Sequence, residues 1–335
     1  MENKKKNPAK SLLTIVISLA FAIVFMCLAL RGLDFENILT SMKKANYWWI
    51  IAASAFGIAA YWFRAIRWNL LLEPMGYTIS NSNSLWTISF GYLMNLTIPR
   101  SGELARSTAL FGVEKVPVDK SFGTIILERV IDLVCMLVFL GLTLFFKYDA
   151  ILAFYHKSGF QFNPTVLIGF LLVFVVGTVL FFKFKNYFKK YSFVAKIIQF
   201  IEGIFQGLTS IFKLKEKKKF ILYTIAIWLS YYLAAYLVCF ALPETSNFGI
   251  ADGFFVIVVG TLGMMIPASG GIGAFHFALK LGIGALFLSI GKSYEEGAEV
   301  GLSYAFLSHT MQMVIMLIMG LISIPILAKA KAKIS

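Results

Sequence analysis

The chain is short of charge. Asp, Glu, Lys and Arg make up 14% of its 335 residues, against about 25% in soluble globular proteins. Acid is the scarcer sign, 17 residues against 31 basic ones, which leaves a net charge of +14. With 59% of residues apolar, there is too little charge to clothe a soluble domain of this length. Cysteine is scarce too. Cys27, Cys135 and Cys239 are widely separated inside apolar stretches, which excludes a disulfide framework and leaves small packing residues. Three scattered histidines and no HExxH pairing give a catalytic metal no footing. No GxxxxGK[ST] loop is present, so ATP is not expected to act on the chain directly. No cofactor is expected.

What is present is apolar sequence in lengths that match a bilayer, which needs about 20 residues per helix. Full spans are predicted near residues 11–30, 48–66, 122–146, 164–184, 220–242 and 300–328. The first follows Lys4, Lys5, Lys6 and Lys10 like a signal peptide, but it is too long and lacks a small-residue cleavage site, so it reads as a retained anchor. With the N-terminus inside, 21 of the 31 basic residues fall in cytoplasmic segments and six in outer loops. That asymmetry predicts both termini in the cytoplasm and a place in the bacterial plasma (inner) membrane. It also accounts for the positive charge without nucleic acid. Residues 187–215 read as a basic amphipathic helix in the inner interface, with apolar positions at Val194, Ile197, Ile198, Ile201, Ile204, Leu208, Ile211 and Phe212.

Two further segments, 84–113 and 250–290, are interrupted in the same way. Ile98-Pro99-Arg100-Ser101-Gly102 recurs as Ile266-Pro267-Ala268-Ser269-Gly270, 168 residues later. Proline removes a backbone donor, and irregular backbone inside a membrane survives only if it is buried in protein or lines a cavity. Paired interruptions of opposite insertion are what an inverted repeat produces, and they point to a binding site between the halves. The expected fold is an all-α polytopic membrane protein of about six full spans plus two broken or re-entrant helical hairpins (eight spans if both cross fully). Residues 1–335 form one membrane domain, with pseudo-repeat halves of about 1–163 and 164–335.

Charges inside apolar runs are costly, so each needs a partner or a purpose. Arg64 and Arg67 close the second span among aromatics; snorkelling to the interface and facing a site fit them equally. Asn95, Pro99, Arg100, Gly102, Glu103 and Arg106 surround the first break. If helix resumes after Pro99, then Arg100, Glu103 and Arg106 follow three residues apart on one face, with helix-start donors free to bind a phosphate-like group. An arginine–glutamate clasp is the structural alternative. Glu128, Arg129 and Asp132 lie in an apolar run, and the carboxylates four apart share a face directed at those arginines. Five arginines against three carboxylates leave a surplus that invites an anion. In the second half, Pro267, Ser269, Gly270, Gly271 and Gly273 form a candidate backbone cradle, with His276, Lys280, His309 and Gln312 as possible contacts.

The segments Arg64 to Trp68 (RAIRW), Asn95 to Arg106 (NLTIPRSGELAR), Glu128 to Asp132 (ERVID) and Pro267 to Gly273 (PASGGIG) resemble the transmembrane region of lysylphosphatidylglycerol synthases, the flippase-like (YbhN-type) family. The likeness runs over nearly the whole chain. In that family a glutamate commonly follows the second break near the position that His276 occupies here. Bifunctional members carry a soluble aminoacyl-transfer domain after the membrane region, and this chain stops at Ser335, so a stand-alone module is expected. The resemblance implies a translocase that moves an anionic or aminoacylated phospholipid between leaflets, and phospholipid headgroups as its partners. Two alternatives remain at this point. One is the membrane component of an aminoacyl or glycosyl transferase system, with a separate soluble partner docked on Lys213 to Lys219 (KLKEKKK). The other is an intramembrane serine hydrolase built on Ser269 with His276 or His309, against which stand the missing GxSxG context and the commoner role of such a serine as a helix cap. A homo-oligomer is left open.

Overall fold

Asn46 begins the first long helix by accepting the Trp48 N–H on its side chain at 3.1 Å, and Pro74 helps to end it by turning the chain into a short 3₁₀ segment, Glu73–Met75. In this computed structural model, residues 35–98, 100–159, 202–266 and 268–333 are described, with isolated positions at 23, 24, 26, 27, 172 and 176. The helices are α1 (Phe35–Lys43), α2 (Tyr47–Leu72), α3 (Asn81–Thr97), α4 (Gly102–Glu114), α5 (Val118–Phe146), α6 (Tyr148–Ser158), α7 (Lys217–Cys239), α8 (Ile250–Met265), α9 (Ala274–Ser289) and α10 (Tyr294–Ala332). No strand occurs among the described residues. The protein is an all-α polytopic membrane protein. The spans expected at 11–30 and 164–184, and residues 187–201 of the expected interfacial helix, lie outside the described residues.

Tyr47–Met75, α7 and α10 are each long and apolar enough to cross a membrane. The 29 residues of α5 are length enough as well, with the charged positions in its first half and exposed apolar side chains such as Leu137, Val138 and Phe145 in its second. The helices α2, α5 and α10 run beyond the expected spans, while α7 is shifted to Lys217–Cys239 against an expected 220–242. The extension of α2 to Leu72 matters most, because its last two turns are the most buried part of the helix.

Both interrupted segments are helical hairpins. A Cβ on Gly91 would stand 2.8 Å from the Gly102 carbonyl and 3.1 Å from the Arg106 Cβ, so α3 and α4 run back along one another. In α8 and α9, a Cβ on Gly263 would meet that of Ala278 at 2.8 Å, and one on Gly282 the Val259 Cγ1 at 2.7 Å. Glycine here buys close approach of two helices, which substitutes dispersion contact for the hydrophobic drive that lipid cannot supply. The hairpins meet at their tips, where Leu96 packs on Gly270. Along them runs α10, with Gly301 packed on Leu279 and Gly320 on Leu93. One apolar core joins α8, α9 and α10, and a second joins α2 to α5 and α7.

The described part of the amphipathic segment packs against α5. Residues 202–208 are helical, and Gly203 and Gly207 press them onto the start of α5; a Gly207 Cβ would lie 2.6 Å from the Lys120 carbonyl. Leu208 and Ile211 join the second core while Phe212 is exposed. The small-xxx-small spacing of these glycines carried that contact in the sequence.

Gly263→Leu should separate the second hairpin and lower the melting temperature of the detergent-solubilised protein by several degrees, as overpacking costs about 1–3 kcal/mol. Gly141→Ala, whose new Cβ would touch no atom of the described residues within 4 Å, should leave it unchanged or raise it slightly. Both are read by differential scanning fluorimetry.

Candidate functional site

Glu128 sits fully buried on α5. Its Oε2 accepts from Arg106 Nη1 at 2.7 Å, and its Oε1 lies 3.5 Å from Arg67 Nη2. One turn further, Asp132 accepts from Arg64 Nη2 at 2.9 Å and Arg67 Nη2 at 3.3 Å. Arg129 Nη2 donates to Glu103 at 3.1 Å, with its Nη1 3.6 Å from Asp132. Four arginines from α2, α4 and α5 thus share three carboxylates. Arg67 reaches two of them at once through Nη2, which lies between Glu128 Oε1 and Asp132 Oδ1. Tyr231 and Thr224 of α7 accept from Arg64 at 3.1 Å and Arg67 at 3.3 Å. The Arg106 guanidinium also lies 3.6 Å from the ring centroid of Trp68, whose indole N–H donates to Thr124 Oγ1 at 2.8 Å.

The arginines of α2 therefore do not snorkel. Arg64 is 2% exposed and Arg67 0%, because the carboxylates one helix away hold them inward. Arg129 is different: 46% of its side chain is exposed.

The first break departs from the expected single charged face. Arg100 lies outside α4 with a positive φ of 59°, so the helical spacing to Glu103 and Arg106 does not apply to it. Its Nη2 donates instead to the Met265 carbonyl at the end of α8, at 2.6 Å. Glu103 turns to Arg129, and Arg106 inward to Glu128. Nor are the helix-start donors all free. Asn95 Oδ1 accepts the Gly102 N–H at 2.7 Å, making Asn95 a cap for α4.

In the second break, Gly270, Gly271 and Gly273 have φ of 58°, 79° and 80°, the left-handed region where a side chain is strained. A carbonyl only accepts, so His309 Nε2 donates to the Gly270 carbonyl at 2.8 Å. His276 packs behind it with its ring tilted, 5.1 Å from the His309 ring and 4.6 Å from that of Phe306, and is not on the cavity wall. Pro99, Pro267 and the Ser269 side chain lie outside the described residues.

Between the hairpins and α2, α5, α7 and α10 is a cavity of about 370 Å³. One end is polar, formed by Arg64, Arg129 and Asp132 with Tyr61, Tyr92 and Tyr231. The rest is mainly apolar, including Val256, Ile257, Met264, Phe275, Leu279 and Ile315, with Thr261, Ser308 and Gln312 among its polar side chains. Sequence reasoning found the charges and missed most of the aromatic rim. Tyr61 and Tyr92 pack at 4.8 Å between ring centroids; the one available signal was Tyr61 lying three residues before Arg64, on the same helix face. Among the described residues no group of three His, Cys, Asp or Glu side chains is arranged to hold a metal.

A family described as the lysylphosphatidylglycerol synthase TM region matches residues 15–320. The chain belongs to this family. The UPF0104 membrane protein MJ1595 of Methanocaldococcus jannaschii is 24% identical over 191 residues, covering 56% of this chain and 54% of that protein. The match thus spans about half the length of this relative. No solved structure matches the chain. All seven residues of the arginine–carboxylate network fall inside the stretch that matches the lysylphosphatidylglycerol synthase TM region.

Glu128→Gln leaves Arg106 buried without its counter-charge, takes one of two carboxylates from Arg67, and should destabilise the protein by about 3–5 kcal/mol. Glu103→Gln removes a partly exposed pair and should cost less than about 1 kcal/mol. Thermal unfolding in detergent, with size-exclusion recovery, measures both.

Proposed function

We propose that the protein moves a phospholipid between leaflets, holding the phosphate-bearing headgroup at the arginine end of the cavity while the acyl chains stay against its apolar walls and the bilayer. The observation that carries this reading is the division of one cavity into a charged end and an apolar remainder, the same division that an amphiphile has. Pockets of about 300–1,000 Å³ suit small-molecule groups, so the cavity admits a headgroup. The network has four guanidinium groups and three carboxylates, and its one-charge surplus favours an anionic group in a low-dielectric setting. Arg129 is the group placed to use it. It is the most exposed arginine of the network, and a phosphate oxygen would replace its long contact to Asp132 with a shorter, charge-assisted bond.

Alternation of access would fall to the hairpin tips. They are joined by the Arg100–Met265 bond at 2.6 Å and by the packing of Leu96 on Gly270, contacts few enough to break without disturbing the cores. Membrane potential would supply about 2.3 kcal/mol per charge per 100 mV to a charged headgroup. The family supports an anionic or aminoacylated phospholipid as cargo. The distribution of basic residues supports the plasma membrane of a bacterium, with cytoplasmic termini.

In proteoliposomes, dithionite quenching of headgroup-labelled phosphatidylglycerol or its aminoacyl ester should show leaflet exchange well above protein-free vesicles. Arg129→Ala should slow it at least tenfold, with Arg129→Lys between the two. Absence of exchange for both lipids, or full exchange by folded Arg129→Ala, would overturn the reading.

A further inference from the structure

The polar end of the central cavity holds more donors than the arginine network uses. Tyr231 accepts from Arg64 Nε at 3.1 Å, which leaves its own O–H to donate. Tyr61 and Tyr92 line the same end, and their hydroxyls have no acceptor among the described residues. Ring packing holds all three in place. Tyr61 and Tyr92 lie 4.8 Å apart between centroids, and Tyr231 meets Trp228 edge-on at 5.9 Å. The three phenol groups are within electrostatic reach of one another and of Arg64.

A buried tyrosine hydroxyl ordinarily finds a partner. Tyr232, Tyr236 and Tyr304 find theirs inside the chain, donating to the carbonyls of Ile250 at 3.0 Å, Phe248 at 2.9 Å and Ala235 at 2.6 Å. The three at the polar end border the cavity instead. Phenols are neutral at pH 7, so they add hydrogen bonds to the site without adding charge. The charge there is small however the boundary is drawn. The whole network sets four arginines against three carboxylates; the described cavity wall sets Arg64 and Arg129 against Asp132. Each leaves a surplus of one positive charge. Arg100 is not on that wall and serves the Met265 carbonyl.

We propose that Tyr61, Tyr92 and Tyr231 join Arg129 in a site for the monoanion of a phosphodiester, and that this site discriminates against phosphomonoesters. The proposal rests on the headgroup reading of the cavity and goes beyond it by naming the ester. A phosphodiester carries one negative charge, which the surplus neutralises. A monoester, with a second pKa of about 6, carries nearly two at pH 8, and the second stays uncompensated in a low-dielectric cavity. One free oxygen of the diester takes a charge-assisted bond from Arg129, and the other takes phenol O–H donors.

The test uses a matched pair of lipids, phosphatidic acid and its methyl ester phosphatidylmethanol, each with a diazirine on one acyl chain. Each is added at pH 8 to the full chain in maltoside detergent, followed by irradiation and peptide mapping. Labelling of α8 and of residues 304–316 of α10, which wall the cavity, should be about tenfold higher with phosphatidylmethanol. This comparison needs no variant. Tyr61→Phe combined with Tyr92→Phe keeps both rings, so the melting temperature should hold. Phosphatidylmethanol labelling should fall about tenfold, to the level of phosphatidic acid. Tyr223→Phe, whose phenol is not on the cavity wall, should change neither. Equal labelling by the two lipids, preference for phosphatidic acid, or undiminished phosphatidylmethanol labelling of the folded double variant would overturn the proposal. Dithionite quenching with the same parent protein keeps the site apart from transport. Leaflet exchange without an ester preference overturns the site alone, and an ester preference without exchange overturns transport alone.

Discussion

Glu128 cannot stand alone where it is. A carboxylate buried among apolar helices has lost its water, and only opposite charge at hydrogen-bonding distance offsets that loss. Arg106 supplies it from α4 at 2.7 Å and Arg67 from α2 at 3.5 Å. Those two bonds fix the first hairpin and the long helix α2 against α5. Asp132 extends the lock to Arg64, and Arg64 to Tyr231 of α7. Four helices are thereby held in one register by groups that have no other place to go. The same bonds leave Arg129 at the cavity with its weaker partners.

The second constraint is the backbone. Each break frees peptide groups that the hydrocarbon cannot satisfy, and each is satisfied from within the protein. Asn95 caps the Gly102 N–H, Arg100 serves the Met265 carbonyl, and His309 serves that of Gly270. The two breaks solve the problem differently. The second uses left-handed glycines; the first places Arg100 itself at a φ of 59° and extends its side chain across to the other tip. The two copies of the motif are thus in contact with one another.

Much of this was legible in residue order, and the reason is cost. A charge in an apolar run is rare enough to be a signal, and the four-residue step from Glu128 to Asp132 puts both carboxylates on one helix face. The hairpin breaks were legible because proline and glycine have few other uses there. Partner choice was not. Periodicity describes one helix, so it grouped Arg100 with Glu103 and Arg106, when the cap from Asn95 delays the helix to Gly102 and sends Arg100 elsewhere. Tyr92 and Tyr231 resemble any aromatic in an apolar span, and only the arrival of α3 and α7 beside the arginines makes them the rim of a site. The burial of Arg64 and Arg67 likewise depends on acids 61 or more residues away in the sequence.

The central claim is that a phospholipid headgroup enters the cavity at its arginine end. The most direct measurement is a cryo-EM map of the protein in nanodiscs rich in phosphatidylglycerol, at a resolution that shows acyl chains. The account predicts headgroup density beside the Arg129 guanidinium, with chain density continuing along the wall of Val256, Met264 and Ile315. A map in which ordered lipids surround the protein while the Arg129 end of the cavity holds water alone would contradict it.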